Sequence, residues 1–169
     1  MGTDISKFHF TSNNIQVLIV TGVSNIEYKN VYTIGSDQMI FFKSNGGSGT
    51  ASGLSYSNFL GHKNAYGIYI DSDWTEETLA SGDGVLYTDI TFSGFYGDVD
   101  TGIERPPIYF NCPDEVPCTD ITVEDVAIWT DEGDYILYEC INAFGNGYCL
   151  VDSDDTYDYS TVTTVTATP

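Results

Sequence analysis

The chain has 169 residues, enough for one domain with a sizeable core. An apolar content of 41%, with 13 Tyr and 9 Phe, excludes disorder of the whole chain. A net charge of −20, with only five Lys or Arg, excludes a nucleic-acid backbone as partner and disfavours an anionic membrane surface.

Residues 1–22 lack the basic start of an export signal, and the apolar run Ile15–Val20 is too short for a signal or a membrane span. Met1-Gly2-Thr3-Asp4-Ile5-Ser6 fits a myristoylation pattern but has no polybasic partner, and His9 is given no role. Ile15–Val20 reads as part of a fragmentary earlier repeat.

From Asn25 onward one motif recurs. It is seen in Asn25-Ile26-Glu27-Tyr28-Lys29-Asn30-Val31 and in Gly53-Leu54-Ser55-Tyr56-Ser57-Asn58-Phe59. It returns in Asp89-Ile90-Thr91-Phe92-Ser93-Gly94-Phe95 and in Asp120-Ile121-Thr122-Val123-Glu124-Asp125-Val126. Apolar and polar residues alternate at period two, as on a half-buried strand. Asn, Gly or Asp at the sixth place suits a bend in left-handed or bridge geometry. Ile26, Leu54, Ile90 and Ile121 are separated by 28, 36 and 31 residues. A second strand is expected in each unit, at Met39–Phe42, Tyr66–Ile70, Ile108–Phe110 and Tyr135–Tyr138. Units of this length with two or three strands predict an all-β parallel β-helix of about four coils, truncated at its N-terminal side. A propeller blade needs four strands. An antiparallel sandwich also has short, regularly spaced strands, but gives no reason for one motif to recur in register.

Stacking predicts ladders of isoleucine and aromatic residues inside the tube, and an unpaired sheet edge at the first coil. The domain reading is a poorly matching segment at 1–22, coils at 23–151, and an acidic then Thr-rich tail at 152–169, loosely attached or partly disordered. Asp154-Asp155 in that tail reads as a solvated pair rather than a catalytic one.

The residues leaving the second strands are Lys43, Asp71, Asn111 and Glu139. Lys43 and Asp71 share the 28-residue spacing of Ile26 and Leu54, so they should be neighbours in a column, roughly 5 Å apart. The column is either a polar groove or a solvated face with one weak ion pair. His62 is expected at a turn between strands, as a sugar-binding or acid group or as a structural residue. Tyr32, Tyr66, Tyr69 and Trp74 are expected near the groove, or in the core. No phosphate loop, Ser-His-Asp signature or metal-ligand cluster is present, so neither a metal nor a cofactor is expected.

The four cysteines fall into two local groups, Cys112 with Cys118 and Cys140 with Cys149. Three pairings are open, local ones being the simplest, and four reduced thiols are the alternative. Zinc ligation is disfavoured by the spacing and by the lack of accompanying His. Paired cysteines imply an oxidising, extracellular setting, although residues 1–22 hold no signal.

Val23–Cys149 resembles the C-terminal coils of fungal rhamnogalacturonan hydrolases, in glycoside hydrolase family 28. The resemblance rests on Asn30-Val31-Tyr32-Thr33, on Lys43-Ser44-Asn45-Gly46-Gly47-Ser48-Gly49-Thr50, and on Gly61-His62 followed by Asn64-Ala65-Tyr66. It rests further on Cys118-Thr119-Asp120, Ala127-Ile128-Trp129-Thr130 and Gly147-Tyr148-Cys149-Leu150. It implies a right-handed β-helix, the disulfides Cys112–Cys118 and Cys140–Cys149, and a secreted monomer acting on pectic polysaccharide. It also implies hydrolysis, with inversion, of the galacturonate–rhamnose linkage. Lys43 matches the family's substrate-binding basic residue; Asp71 and His62 are expected to support the groove.

Inversion needs two carboxyl groups roughly 6.5–9.5 Å apart. In the family these lie on coils before the Lys43 strand, whereas here Asp4 is the only acidic residue before Glu27. No catalytic residue is therefore assigned, and the chain is expected to be incomplete as a catalyst. A non-catalytic β-helix remnant and a carbohydrate-binding module are the alternatives. The −20 charge should oppose an anionic glycan at neutral pH, so binding is expected to improve as pH falls.

Overall fold

The computed structural model describes residues 8–11, 14–17, 22–76, 78–102, 104–130, 133, 135–152 and 160–166. Two sheets account for the described strands. The seven-stranded sheet runs in the order β1 (Phe8–Thr11), β2 (Asn14–Val17), β4 (Gln38–Lys43), β6 (Tyr66–Asp71), β8 (Ile108–Asn111), β10 (Tyr135–Ile141) and β12 (Ser160–Thr166). The five-stranded sheet runs in the order β11 (Ala143–Asn146), β9 (Cys118–Thr130), β7 (Leu86–Val99), β5 (Thr50–Asn64) and β3 (Val23–Ile34).

Each coil is one long strand of the five-stranded sheet followed by one short strand of the other. The long strands pair parallel, with Ile26 beside Leu54, Leu54 beside Ile90 and Ile90 beside Ile121. The short strands also pair parallel, through Ile40, Ile68, Ile108 and Tyr138. The fold is a parallel β-helix, and parallel pairing throughout the five-stranded sheet removes the antiparallel sandwich.

The sixth motif place explains how a long strand turns. Asn30, Asn58, Gly94 and Asp125 all have positive φ, between 51° and 69°. The bend interrupts the period-two alternation, so Tyr56 and Phe59, three apart, both face inward with no exposure. Asn and Asp tolerate this geometry better than other L-residues. Asn58 Nδ2 also donates to Asn30 Oδ1 at 3.2 Å, so the bends stack as the strands do.

The tube interior is a set of ladders. Tyr28, Tyr56 and Phe92 stack in sequence, with centroids 5.7 and 5.6 Å apart. Phe59 lies on Phe95 at 4.5 Å, and Phe92 on Phe110 at 5.8 Å. Cys112 joins Cys118 across the loop between β8 and β9, and Cys140 joins Cys149.

Two expectations about the ends need correction. The first coil's edge stays outermost only in the five-stranded sheet, at β3. In the other sheet β2 adds parallel to β4, and β1 pairs antiparallel with β2. This places Ile15 to Val17 on a strand within the sheet's continuation; residues 18–21 lie outside the described residues. The tail is not loose throughout: Ser160–Thr166 pairs antiparallel with β10 over seven residues. Its alternation of Thr and Val carries the β-propensity that accounts for this strand. Asp154-Asp155 lies outside the described residues.

Candidate binding cleft

The outer face of the seven-stranded sheet carries two adjacent columns. Lys43 pairs with Asp71, and Asp71 with Asn111. Two residues earlier on each strand, and so on the same face, Phe41 pairs with Tyr69 and Tyr69 with Tyr109. Glu139 was expected to follow Asn111. It instead pairs with Tyr109, while Ile141 follows Asn111. The cause is the length of β10, which continues through Cys140 to Ile141 rather than ending at Tyr138.

Phe41, Tyr69 and Tyr109 of one column and Asp71 of the other line an open cleft of about 310 Å³, together with Tyr66, Trp74 and Glu139. The rings brace one another. Tyr66 meets Tyr69 edge-on at 4.8 Å, Tyr69 lies tilted against Tyr109 at 5.2 Å, and Phe41 meets Trp74 edge-on at 5.1 Å. Each ring is held by its neighbours and loses little further freedom when a ligand stacks on it.

Two cations stand on this aromatic wall. Lys43 Nζ lies 5.6 Å from the Trp74 ring centre, and the Arg105 guanidinium lies 5.1 Å from that of Tyr66. Lys29 and Lys63 belong to β3 and β5 of the other sheet.

The Asp71 carboxylate is partly desolvated. Asp71 Oδ1 accepts from Asn111 Nδ2 at 3.2 Å and from the Asp73 N–H at 3.0 Å. Desolvation nevertheless holds its carboxyl above the ordinary 3.8, assisted by the charge of Asp73 and opposed by those two hydrogen bonds. Burial, then the charges of Asp71, Glu139 and Asp73, push the Tyr109 phenol up to about 12. Burial likewise pushes the Tyr69 phenol up. Both phenols are therefore neutral donors at any physiological pH. The cleft offers aromatic surface, hydroxyl donors and carboxylate acceptors, with two cations against its Trp74 and Tyr66 rings, a set suited to a polyhydroxylated, acidic ligand.

Two residues expected at the groove lie elsewhere. Tyr32 is exposed on β3, beside Leu60, on the other sheet. His62 is within β5 rather than at a turn, and its Nδ1 lies 2.8 Å from Oδ1 of Asp98 on β7. Asp98 is buried and also accepts from the Lys63 N–H at 2.7 Å, so this pair fixes the end of β5. Tyr109 and Arg105 were missed by sequence reasoning. Tyr109 follows from extending the strand columns one position inward. Arg105 sits in a loop whose approach to Tyr66 no local spacing encodes.

A cleft on stacked parallel coils places the chain in a class of β-helical proteins, and comparison with known sequences makes the class specific. The profile of glycosyl hydrolases family 28 matches residues 19–146, and the chain belongs to that family. It is 51% identical over 150 residues to the probable rhamnogalacturonase E of Aspergillus flavus, covering 88% of this chain and 33% of that protein. It is 50% identical over 149 residues to rhamnogalacturonase A of Aspergillus aculeatus, covering 88% of this chain and 34% of the relative. The same identity and length are found with the probable rhamnogalacturonase A of Aspergillus niger, again covering 88% of this chain and 33% of the relative. The chain thus spans about a third of the length of the curated relatives it matches.

Proposed function

We propose that the chain binds pectic polysaccharide, with the cleft holding a galacturonate–rhamnose segment while hydrolysis with inversion requires carboxylates it does not itself supply. One observation carries this: the Lys43–Asp71–Asn111 column runs beside the Phe41–Tyr69–Tyr109 column in a chain about 50% identical to rhamnogalacturonases. Lys43 meets the uronate carboxylate, Asp71 accepts from sugar hydroxyls, and the partly exposed Tyr66, Trp74 and Tyr109 rings take the pyranose C–H surfaces. His62, on the other sheet, is outside this reading. Two disulfides support action outside the cell, and the chain is proposed to act as a monomer.

Isothermal titration with galacturonate–rhamnose oligosaccharides, beside a reducing-sugar assay on rhamnogalacturonan, tests the proposal. Binding without sugar release is expected, tightening from pH 7 to pH 4 as surface carboxylates are neutralised. Replacing Lys43 by Ala should weaken it on the order of tenfold. Clear turnover would overturn the assignment of catalysis to other residues, and no binding at any pH would overturn the cleft.

A further inference from the structure

We infer that Arg105 is the residue by which the cleft recognises a second acidic sugar, binding its carboxylate edge-on from above Tyr66; this rests on the cleft reading just given. Arg105 lies in the loop between β7 and β8, flanked by Glu104 and Pro106, both of which line the cleft. Its guanidinium lies over the Tyr66 ring at 5.1 Å. Tyr66 is in turn braced by Tyr69, the ring at the centre of the cleft floor. An arginine laid on a ring has one face covered while its N–H edge projects sideways, the geometry that suits a planar carboxylate.

The surroundings do not occupy that edge strongly. The Asp100 carboxylate stands 4.0 Å from Arg105 Nη1, and both side chains are about half exposed. Such a pair is weak, and a better-placed carboxylate displaces it at little cost. The side chain is 44% exposed, so a ligand reaches it without any rearrangement of the coil.

Charge sharpens the assignment. The cleft lining includes three carboxylates, Asp71, Glu104 and Glu139, in a chain of net charge −20. An anionic ligand can settle there only where a cation is placed to meet it. Lys43 and Arg105 fill that role from separate rings, Trp74 and Tyr66. Lys43 is a compact, hydrated charge that tolerates many partners, whereas Arg105 selects a planar one. Arg105 therefore discriminates uronate from neutral sugar, and its loss should affect that discrimination more than overall affinity for sugar.

The experiment compares a galacturonate–rhamnose oligosaccharide with the same compound after its carboxyl groups are reduced to alcohols. Isothermal titration is run on the wild-type chain, Arg105→Gln and Arg105→Lys, each checked by circular dichroism. The wild-type chain should prefer the acidic compound on the order of tenfold or more, as charge-assisted hydrogen bonds suggest. Arg105→Gln should lower that preference on the order of tenfold with little change for the reduced compound, the part owed to Lys43 remaining, and Arg105→Lys should restore only part of the loss. An undiminished preference in Arg105→Gln would overturn the inference while leaving the cleft reading intact. Equal restoration by Lys would overturn the planar recognition. Failure of the wild-type chain to bind either compound would overturn both readings together.

Discussion

Phe92→Ala is the substitution that most severely loads the stacked-coil core. Phe92 is fully buried and touches four rings: Tyr56 at 5.6 Å, Phe110 at 5.8 Å, Phe42 at 5.9 Å and Phe95 at 6.0 Å. Truncating a buried Phe to Ala costs about 3–5 kcal/mol, comprising lost transfer energy and a residual cavity. The ring pairs add value beyond area, and strands on both sides prevent collapse into the space, so the upper part of that range applies, about 4 kcal/mol. With a urea slope of about 2 kcal/mol/M, the midpoint should fall by about 2 M. The assay is urea unfolding followed by circular dichroism and tryptophan fluorescence, disulfides intact. Ser93→Ala is the internal control, because Ser93 sits between Ser57 and Glu124 on the outward face, where changes stay within about 0.5 kcal/mol. A loss below about 1 kcal/mol for Phe92→Ala, or an equal loss for Ser93→Ala, would refute the inward ladder.

Asp71→Asn should raise the melting temperature at pH 7, and the gain should shrink on acidification and vanish below pH 3.8. The folded-state pKa is raised by desolvation, so the fold favours protonated Asp71 and loses stability as pH climbs through that value. Calorimetry across pH 3 to 7 checks this; a gain that grows towards low pH contradicts it. Gly97→Ala should destabilise by at least about 2 kcal/mol, because φ is +141° and a Cβ would collide with the Gly61 carbonyl. Gly35→Ala, at φ +55° with open space around it, should cost only about 1 kcal/mol in the same urea assay. Asp98→Ala strips the acceptor from the part-buried Lys63 N–H and the His62 ring, and should cost about 1–3 kcal/mol in thermal unfolding. His62→Ala should cost less, since its ring is half exposed.

The fold was legible because the recurring motif carries both halves of the coil geometry. Alternation shows which residues face inward, and Asn30, Asn58, Gly94 and Asp125 mark the bends. Lys43 and Asp71 were placed together because no insertion separates their coils. Later coils are less regular: Asp71 and Asn111 are 40 residues apart yet paired, the excess lying in loops that leave strand register untouched. Glu139 was misplaced because register depends on where a strand ends, and apolar Cys140 and Ile141 extend β10. The Ser160–Thr166 strand was missed because a short Thr-rich run looks like a tail until a sheet edge is available to pair it. Tyr66, Tyr69 and Trp74 were expected near the groove and line the cleft, whereas Arg105 reaches Tyr66 from the loop between β7 and β8, an approach that one-dimensional spacing does not record.

Chemical-shift mapping of the ¹⁵N-labelled chain, titrated with a galacturonate–rhamnose oligosaccharide, addresses the location of the binding face directly. Shifts should concentrate on Tyr66, Tyr69, Asp71, the Trp74 indole, Arg105 and Tyr109, leaving Tyr32, Leu60 and Tyr96 on the opposite sheet unmoved. Shifts centred on that Tyr32–Leu60–Tyr96 row, or none at saturating ligand, would contradict it.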